Sequence, residues 1–261
     1  MRPPKALILL AVLAAYSMLA ARMECSVGAP LQPPSLSHPL GTDPLGYDAL
    51  CTISKGVLAS LEAGAAAALS TAAVILVAAS AGVSRVSDRI VTMVSGVALG
   101  LPSIALFALL AMIATLEPWQ AGLLVGLVAG LQAARSVAAR AKSIARMPFV
   151  EAAVASGAGR ARVLLRHIMP NMLDMLASYS SIGAAAGIYA EAGLSMLGLT
   201  DPSTPSLGRV LDLVLNTPGA IMTLAGVLQA SVALLLITLV AVAMHEAIRG
   251  LLYTPIRETV S

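Results

Sequence analysis

The chain has 261 residues, of which 58% are hydrophobic and only 11% charged, against roughly 25% charged in an ordinary soluble domain. With a mean hydropathy of +0.89, that balance excludes a soluble enzyme and a disordered chain, and it predicts one polytopic helical membrane domain. The formal charge of +3 does not point to nucleic acid: two Phe, five Tyr and one Trp give no platform for stacking bases, and the cations cluster between apolar runs.

Residues 6–21 (ALILLAVLAAYSMLAA) follow Arg2 and Lys5, a pattern shared by a first span with its amino terminus inside and by a secretory signal peptide. The later spans favour a retained helix over 1–21. Residues 22–55 carry Pro30, Pro33, Pro34, Pro39 and Pro44 and read as an ordered outer loop. Both cysteines, Cys25 and Cys51, fall in it. Nothing in the sequence brings their Cα atoms within bonding distance, so free thiols are expected, with a disulfide as the alternative in an oxidising compartment. Further apolar runs at 56–81, 91–116, 119–141, 172–199 and 219–248 bring the expected spans to six, all-α, with 56–261 as one membrane domain.

With the amino terminus inside, only Arg22, Lys55 and Arg209 of the sixteen Lys and Arg fall outside. This asymmetry predicts that both termini are cytoplasmic. Trp119 and Tyr253 suit interfacial anchors on the outer and inner sides. Gly64 to Ala68 and Gly183 to Gly187 are dense in small residues, which lets helices approach closely.

Ionisable groups in or near spans have function as their default reading, because burying one is costly. Glu191 follows Asn171 by twenty residues, about 30 Å of helix, which puts it at the outer interface. Glu62 is expected one to two turns into the second span, where snorkelling or a watery mouth explains it equally. Pro102 is expected to kink the third span by removing a helix hydrogen bond; a packing bend is the preferred account, with a place on the translocation path or outer mouth as the alternative. His245-Glu246-Ala247-Ile248-Arg249 has Arg where a HExxH zinc helix needs its second histidine. A cation cannot ligate zinc, so a helix end is the preferred reading and no metal site is expected.

The longest polar stretch between spans is 142–171, KSIARMPFVEAAVASGAGRARVLLRHIMPN. Pro148 suits the first turn of a helix and Gly157 the position past its end, which predicts a short helix over 148–156. A second, from about 159 to 168, carries Val163, Leu164 and Ile168 on an apolar side interrupted by Arg160, Arg162 and Arg166, an amphipathic element at the membrane surface. Such a pair fits a groove on a soluble partner or a bed of lipid headgroups, and the residues alone leave both open.

Glu151-Ala152-Ala153, then Gly157, then His167-Ile168-Met169-Pro170-Asn171 resemble the EAA loop of ABC importer permeases in type and spacing. His38-Pro39-Leu40-Gly41-Thr42-Asp43-Pro44-Leu45-Gly46-Tyr47-Asp48 is similar to the outer-loop signature of the dipeptide, oligopeptide and nickel permeases. Glu191 to Leu199 and Pro205 to Gly208 resemble two further segments of that subgroup. The order of motifs resembles the second permease subunit of such importers. Departures are Tyr47, Leu58, Gly96 and Leu207, where the subgroup usually has Arg, Arg, Asp and Trp; they bear on substrate and binding protein and leave the coupling loop intact.

The resemblance implies the type I importer permease fold with a cytoplasmic coupling loop. Glu151, Ala152 and Ala153 would lie in a docking helix, Gly157 would give its tight turn, and His167, Pro170 and Asn171 would complete the loop. Glu151 is a candidate for a charge pair with the ATPase or for bracing the loop against its own arginines. Gly41, Thr42, Asp43, Gly46 and Asp48 form the outer-loop signature. The implied partners are a second permease, two cytoplasmic ATP-binding subunits and an extracytoplasmic binding protein. No GxxxxGK[ST] occurs, so this chain should hold no ATP and have no enzymatic activity; ATP and Mg would sit on the partners. The expected cargo is a di- or oligopeptide, or nickel or another small solute. The alternative, an ion-driven secondary transporter, would need midplane ionisable groups and internal repeats, and neither is seen.

Overall fold

The computed structural model of the chain describes residues 3–22, 24–100, 107, 109, 115–201 and 203–252. The expected kink at Pro102 and the anchor at Tyr253 lie outside the described residues. The helices are α1 (Pro3–Ala21), α2 (Ala49–Ala79), α3 (Arg85–Gly100), α4 (Pro118–Ala145), α5 (Pro148–Ala155), α6 (Arg160–Val163), α7 (Leu173–Met196), α8 (Leu207–Asn216) and α9 (Leu224–Leu252). Residues 49–82, 118–145 and 224–251 are long and apolar enough to cross a membrane. The apolar stretch of α1, Lys5–Ala21, is shorter, and α7 has the length but carries Asp174 and Glu191 among its small residues.

Several helices start or stop where local chemistry dictates. The α2 helix begins at Ala49 rather than 56, because the Asp48 carboxylate accepts a hydrogen bond from the Cys51 N–H at 2.9 Å and caps it. Residues the sequence reading gave to the outer loop therefore form the first two turns of a span. Before α4, the Glu117 N–H is held by the Gln120 side chain at 3.0 Å, and Pro118 takes the first helical position. The segment between α7 and α9 contains α8, an amphipathic helix that was not anticipated; Ser206 caps it by accepting from the Arg209 N–H at 3.1 Å.

α2 is the central element, packed on α4 and α7 and flanked by α1 and α9. Its contacts with α4 and α7 are backbone-close. A Cβ added to Gly122 would come within 2.8 Å of the Ala63 Cα, one on Gly126 within 2.7 Å of the Ala67 Cα, and one on Gly183 within 2.9 Å of the Thr71 Cβ. These positions recur every four residues along one face, so the helices run together along a small-residue seam. The Thr71 hydroxyl donates across it to the Gly126 carbonyl at 2.9 Å.

One apolar core, around Ile53, Ile188, Leu207, Val214 and Val240, joins α2, α7, α8 and α9. A second, around Ile75, Val137, Ile144, Val150, Val163 and Ile168, lies at the other end, where α4 runs into the short helices. Outward-facing Leu69, Val77, Val97, Leu234 and Leu235 suit lipid or a neighbouring membrane subunit.

The structure corrects one expectation outright. Cys25 and Cys51 form a disulfide, with Cα atoms 5.7 Å apart, rather than free thiols. The start of α2 at Ala49 explains it: Cys51 sits on the first helical turn, and the 24–48 segment folds back over it. The pairings Val27 with Tyr47 and Thr42 with Asp48 bring Cys25 alongside.

Candidate functional site

The 142–171 segment forms a compact projection. α5 starts at Pro148 and ends in two backbone bonds, from Ala158 N–H to Ala153 O at 3.0 Å and from Gly157 N–H to Val154 O at 2.9 Å. This is the Schellman closure, which requires a left-handed residue after the helix. Gly157 supplies it with φ +87°, and the space where its Cβ would stand is empty. Val150 is buried against the second core while Glu151, Ala152 and Val154 are exposed and Ala153 is half-buried. The side chains of one face thus fix the helix to the bundle, and the opposite face carries the acidic and small residues.

The second expected helix is only a single α turn, Arg160–Val163, followed by a π turn over Leu164–Ile168 and a 3-10 turn over Met169–Met172. Pro170 explains the widening: its ring would clash with the Arg166 carbonyl in a regular helix. Val163 and Ile168 face the core as expected, Leu164 is half-buried, and the three arginines are exposed. The Asn171 amide donates to the His167 carbonyl at 2.7 Å. The His167 ring lies 6.2 Å from that of Phe149, tying the second turn back to α5. Glu151 makes no ion pair among the described residues, so it does not brace the loop against Arg160, Arg162 or Arg166. Its carboxylate is free on the exposed face.

Glu62 and Glu191 part company. Glu62 is exposed on α2, next to Ala63, whose backbone touches Gly122 in the second turn of α4. That places it level with the amino end of α4. Glu191 lies near the carboxyl end of α7 but is fully buried and does not face an open interface. It accepts from the Ser195 hydroxyl at 2.9 Å, which pairs in turn with the Thr200 hydroxyl at 2.9 Å. These bonds hold the turn from α7 towards α8, where Gly208 packs on the Ala192 backbone.

The outer-loop residues Gly41, Thr42, Asp43, Gly46 and Asp48 are brought together as a brace. The buried Thr42 hydroxyl donates to the Ala29 carbonyl at 2.6 Å and accepts from the Gln32 N–H at 2.8 Å. Asp43 accepts from the N–H groups of Leu45 and Tyr47, both at 2.9 Å, and its own carbonyl accepts from Gly46. Burial raises its carboxyl above the ordinary carboxylate range despite those donors. Asp48 binds His38 Nδ1 at 2.8 Å through its second oxygen. Gly41 donates to the His38 carbonyl and accepts from Ala49. Sequence reasoning missed Gln229, a fully buried amide on α9 that donates to the carbonyls of Leu40 and Thr42 at 3.2 and 3.0 Å. A glutamine alone in an apolar span was the available signal.

The family model described as binding-protein-dependent transport system inner membrane component matches residues 65–250. A putative peptide permease of Brucella suis is 34% identical over 187 residues, covering 70% of this chain and 62% of the relative. A probable peptide ABC transporter permease of Sinorhizobium fredii is 35% identical over 186 residues, covering 69% and 63%. The oligopeptide transport system permease protein OppC of Mycobacterium tuberculosis is 33% identical over 189 residues, covering 69% and 64%. The chain thus spans somewhat under two thirds of the length of these relatives. The matched region runs from the α2 seam through the projection into α9, and the chain belongs to the family of binding-protein-dependent transport system inner membrane components.

Proposed function

We propose that this chain is one permease subunit of an ATP-driven importer for di- or oligopeptides and that α5 docks into the ATP-binding subunit. The observation that carries the reading is the division of α5. One face is fastened to the bundle by Val150, and the other offers Glu151, Ala152 and half-buried Ala153 beside the left-handed turn at Gly157. Short side chains allow a partner's surface to approach the helix backbone, and the unpaired carboxylate gives it an orienting charge. The names of the relatives support peptide cargo, with nickel or another small solute as the alternative. In this reading both termini and the projection are cytoplasmic, and the disulfide-braced 24–48 segment meets the binding protein outside. ATP and Mg stay on two partner subunits, and a second permease completes the path. Closure of the ATPases would then be carried as rigid-body movement of the spans.

The test is co-purification of the tagged chain with ATPases encoded beside it, together with transport assays on Glu151→Lys and Gly157→Trp. A side chain at left-handed φ costs about 1–2 kcal/mol, and a Trp there also protrudes from the docking face. ATPase should accompany the wild type and be lost from Gly157→Trp, while Glu151→Lys inserts normally and loses transport. A folded wild-type chain that captures no ATPase, or variants that both transport normally, would overturn the assignment.

A further inference from the structure

A cleft of about 960 Å³ lies where the α2–α3 turn meets the carboxyl end of α4, just before the projection begins. Arg85, Arg89, Lys142 and Arg146 line it against one carboxylate, Asp88, and Asp88 is already paired with Lys142 at 2.6 Å. The three arginines make no ion pair among the described residues. The turn is held hard against α4: a Cβ on Gly82 would stand 2.9 Å from the Ala141 carbonyl oxygen. The cleft wall is therefore built into the fold. It also contains the start of α3, where Ser84 caps the helix by accepting from the Ser87 N–H at 3.3 Å.

Two features give the ligand its chemistry. Several unpaired guanidinium groups around one cleft match the oxygens of a phosphate, which they can bind bidentately. Arg85, Arg89 and Thr92 follow one face of α3, and the adjoining face carries exposed Val86, Ile90, Met93 and Val97. A ligand seated here would have its phosphate among the cations and an apolar stripe beside it for hydrocarbon. We propose that this cleft binds the phosphate of an anionic phospholipid of the inner leaflet. The orientation rests on the reading above, but the binding itself needs no ATPase, so the two can fail separately.

The experiment uses the full chain carried from phosphatidylcholine micelles into native mass spectrometry, with phosphatidylglycerol supplied as the competing lipid. Wild type should retain phosphatidylglycerol over phosphatidylcholine. Each arginine removed from the cleft should weaken that preference about fivefold, so the triple variant Arg85→Gln/Arg89→Gln/Arg146→Gln should abolish it. A control with equal charge loss, Arg135→Gln/Arg140→Gln/Arg162→Gln, removes arginines outside the cleft and should keep it. Thr92→Trp fills the cleft at an exposed position and leaves every charge in place; it should lose the preference too, which guards against misfolding of the triple variant. Equal loss in the control, or no loss with Thr92→Trp, would overturn the site. Inorganic phosphate bound by wild type and lost in the cleft variants, without any preference between lipids, would keep the phosphate chemistry and assign it to a soluble donor. Loss of a co-purifying ATPase from the cleft variants, with lipid retention unchanged, would overturn the proposal in favour of a protein contact.

Discussion

Gly122→Ala and Gly96→Ala add the same methyl group to two helices of this chain, and the structure predicts opposite signs. Removing a glycine from a helix interior gains about 1 kcal/mol in propensity, and at Gly96, where among the described residues nothing lies within 4 Å of the new Cβ, that gain stands alone. At Gly122 the Cβ would sit 2.8 Å from the Cα and carbonyl carbon of Ala63 and closer still to its carbonyl oxygen. Ordinary contact begins near 3.4 Å, so α2 and α4 must separate by more than half an ångström. The obstacle is backbone, which has no alternative rotamer. Overpacking of this kind costs about 1–3 kcal/mol, which less the same propensity gain leaves a net loss of up to about 2 kcal/mol, lowering the melting temperature of a chain of this size by up to about 8 °C. Thermal unfolding in detergent, followed by size-exclusion recovery, reads both variants against wild type. If Gly122→Ala matches Gly96→Ala, the seam is looser than the backbone spacing requires and the argument fails.

Three more outcomes follow from the outer segment. Cys25→Ser should lower stability by about 3–4 kcal/mol, the chain-entropy value for a closure of 26 residues, and should open residues 24–48 to protease; an unchanged digestion pattern would refute it. Gln229→Leu leaves the Leu40 and Thr42 carbonyls without their donor and should cost about 1–3 kcal/mol, seen as faster hydrogen exchange at residues 40–42. Asp43 has its folded carboxyl raised by burial, so the folded chain holds that proton to higher pH than the unfolded one. Its contribution therefore favours folding below the unfolded value and is lost as pH rises through the folded one. Asp43→Asn should flatten this dependence in pH-resolved unfolding, and a slope identical to wild type would sink it.

Much of the projection was legible because its signals are local. Pro148 and Gly157 bound α5 as expected, since each acts through its own backbone. The second turn was harder: the clash that replaces a helix with a π turn involves Pro170 and a carbonyl four residues earlier, and an amphipathic pattern hides it. That Glu191 is buried rather than at an open interface was not legible, because helix rise gives position along an axis and says nothing of which neighbours close around it. The disulfide and the Gln229 brace were out of reach for the same reason. Both join segments distant in sequence, and Gln229 acts across 187 and 189 residues. The α8 helix falls between the apolar runs 172–199 and 219–248 and, at ten residues, is too short to register as a span.

Only Arg146 and Met147 separate the end of α4 from the start of α5, and Val150 and Ile144 share one core. The joint has no slack. A load applied to α5 therefore passes directly into α4 instead of being taken up by a bending linker. About 35 Å away, Gly122 near the far end of the same rod is gripped by the α2 backbone. On the proposed reading, movement of α5 is thus delivered to the whole seam that joins α4 to α2, from Ala141 back to Gly122.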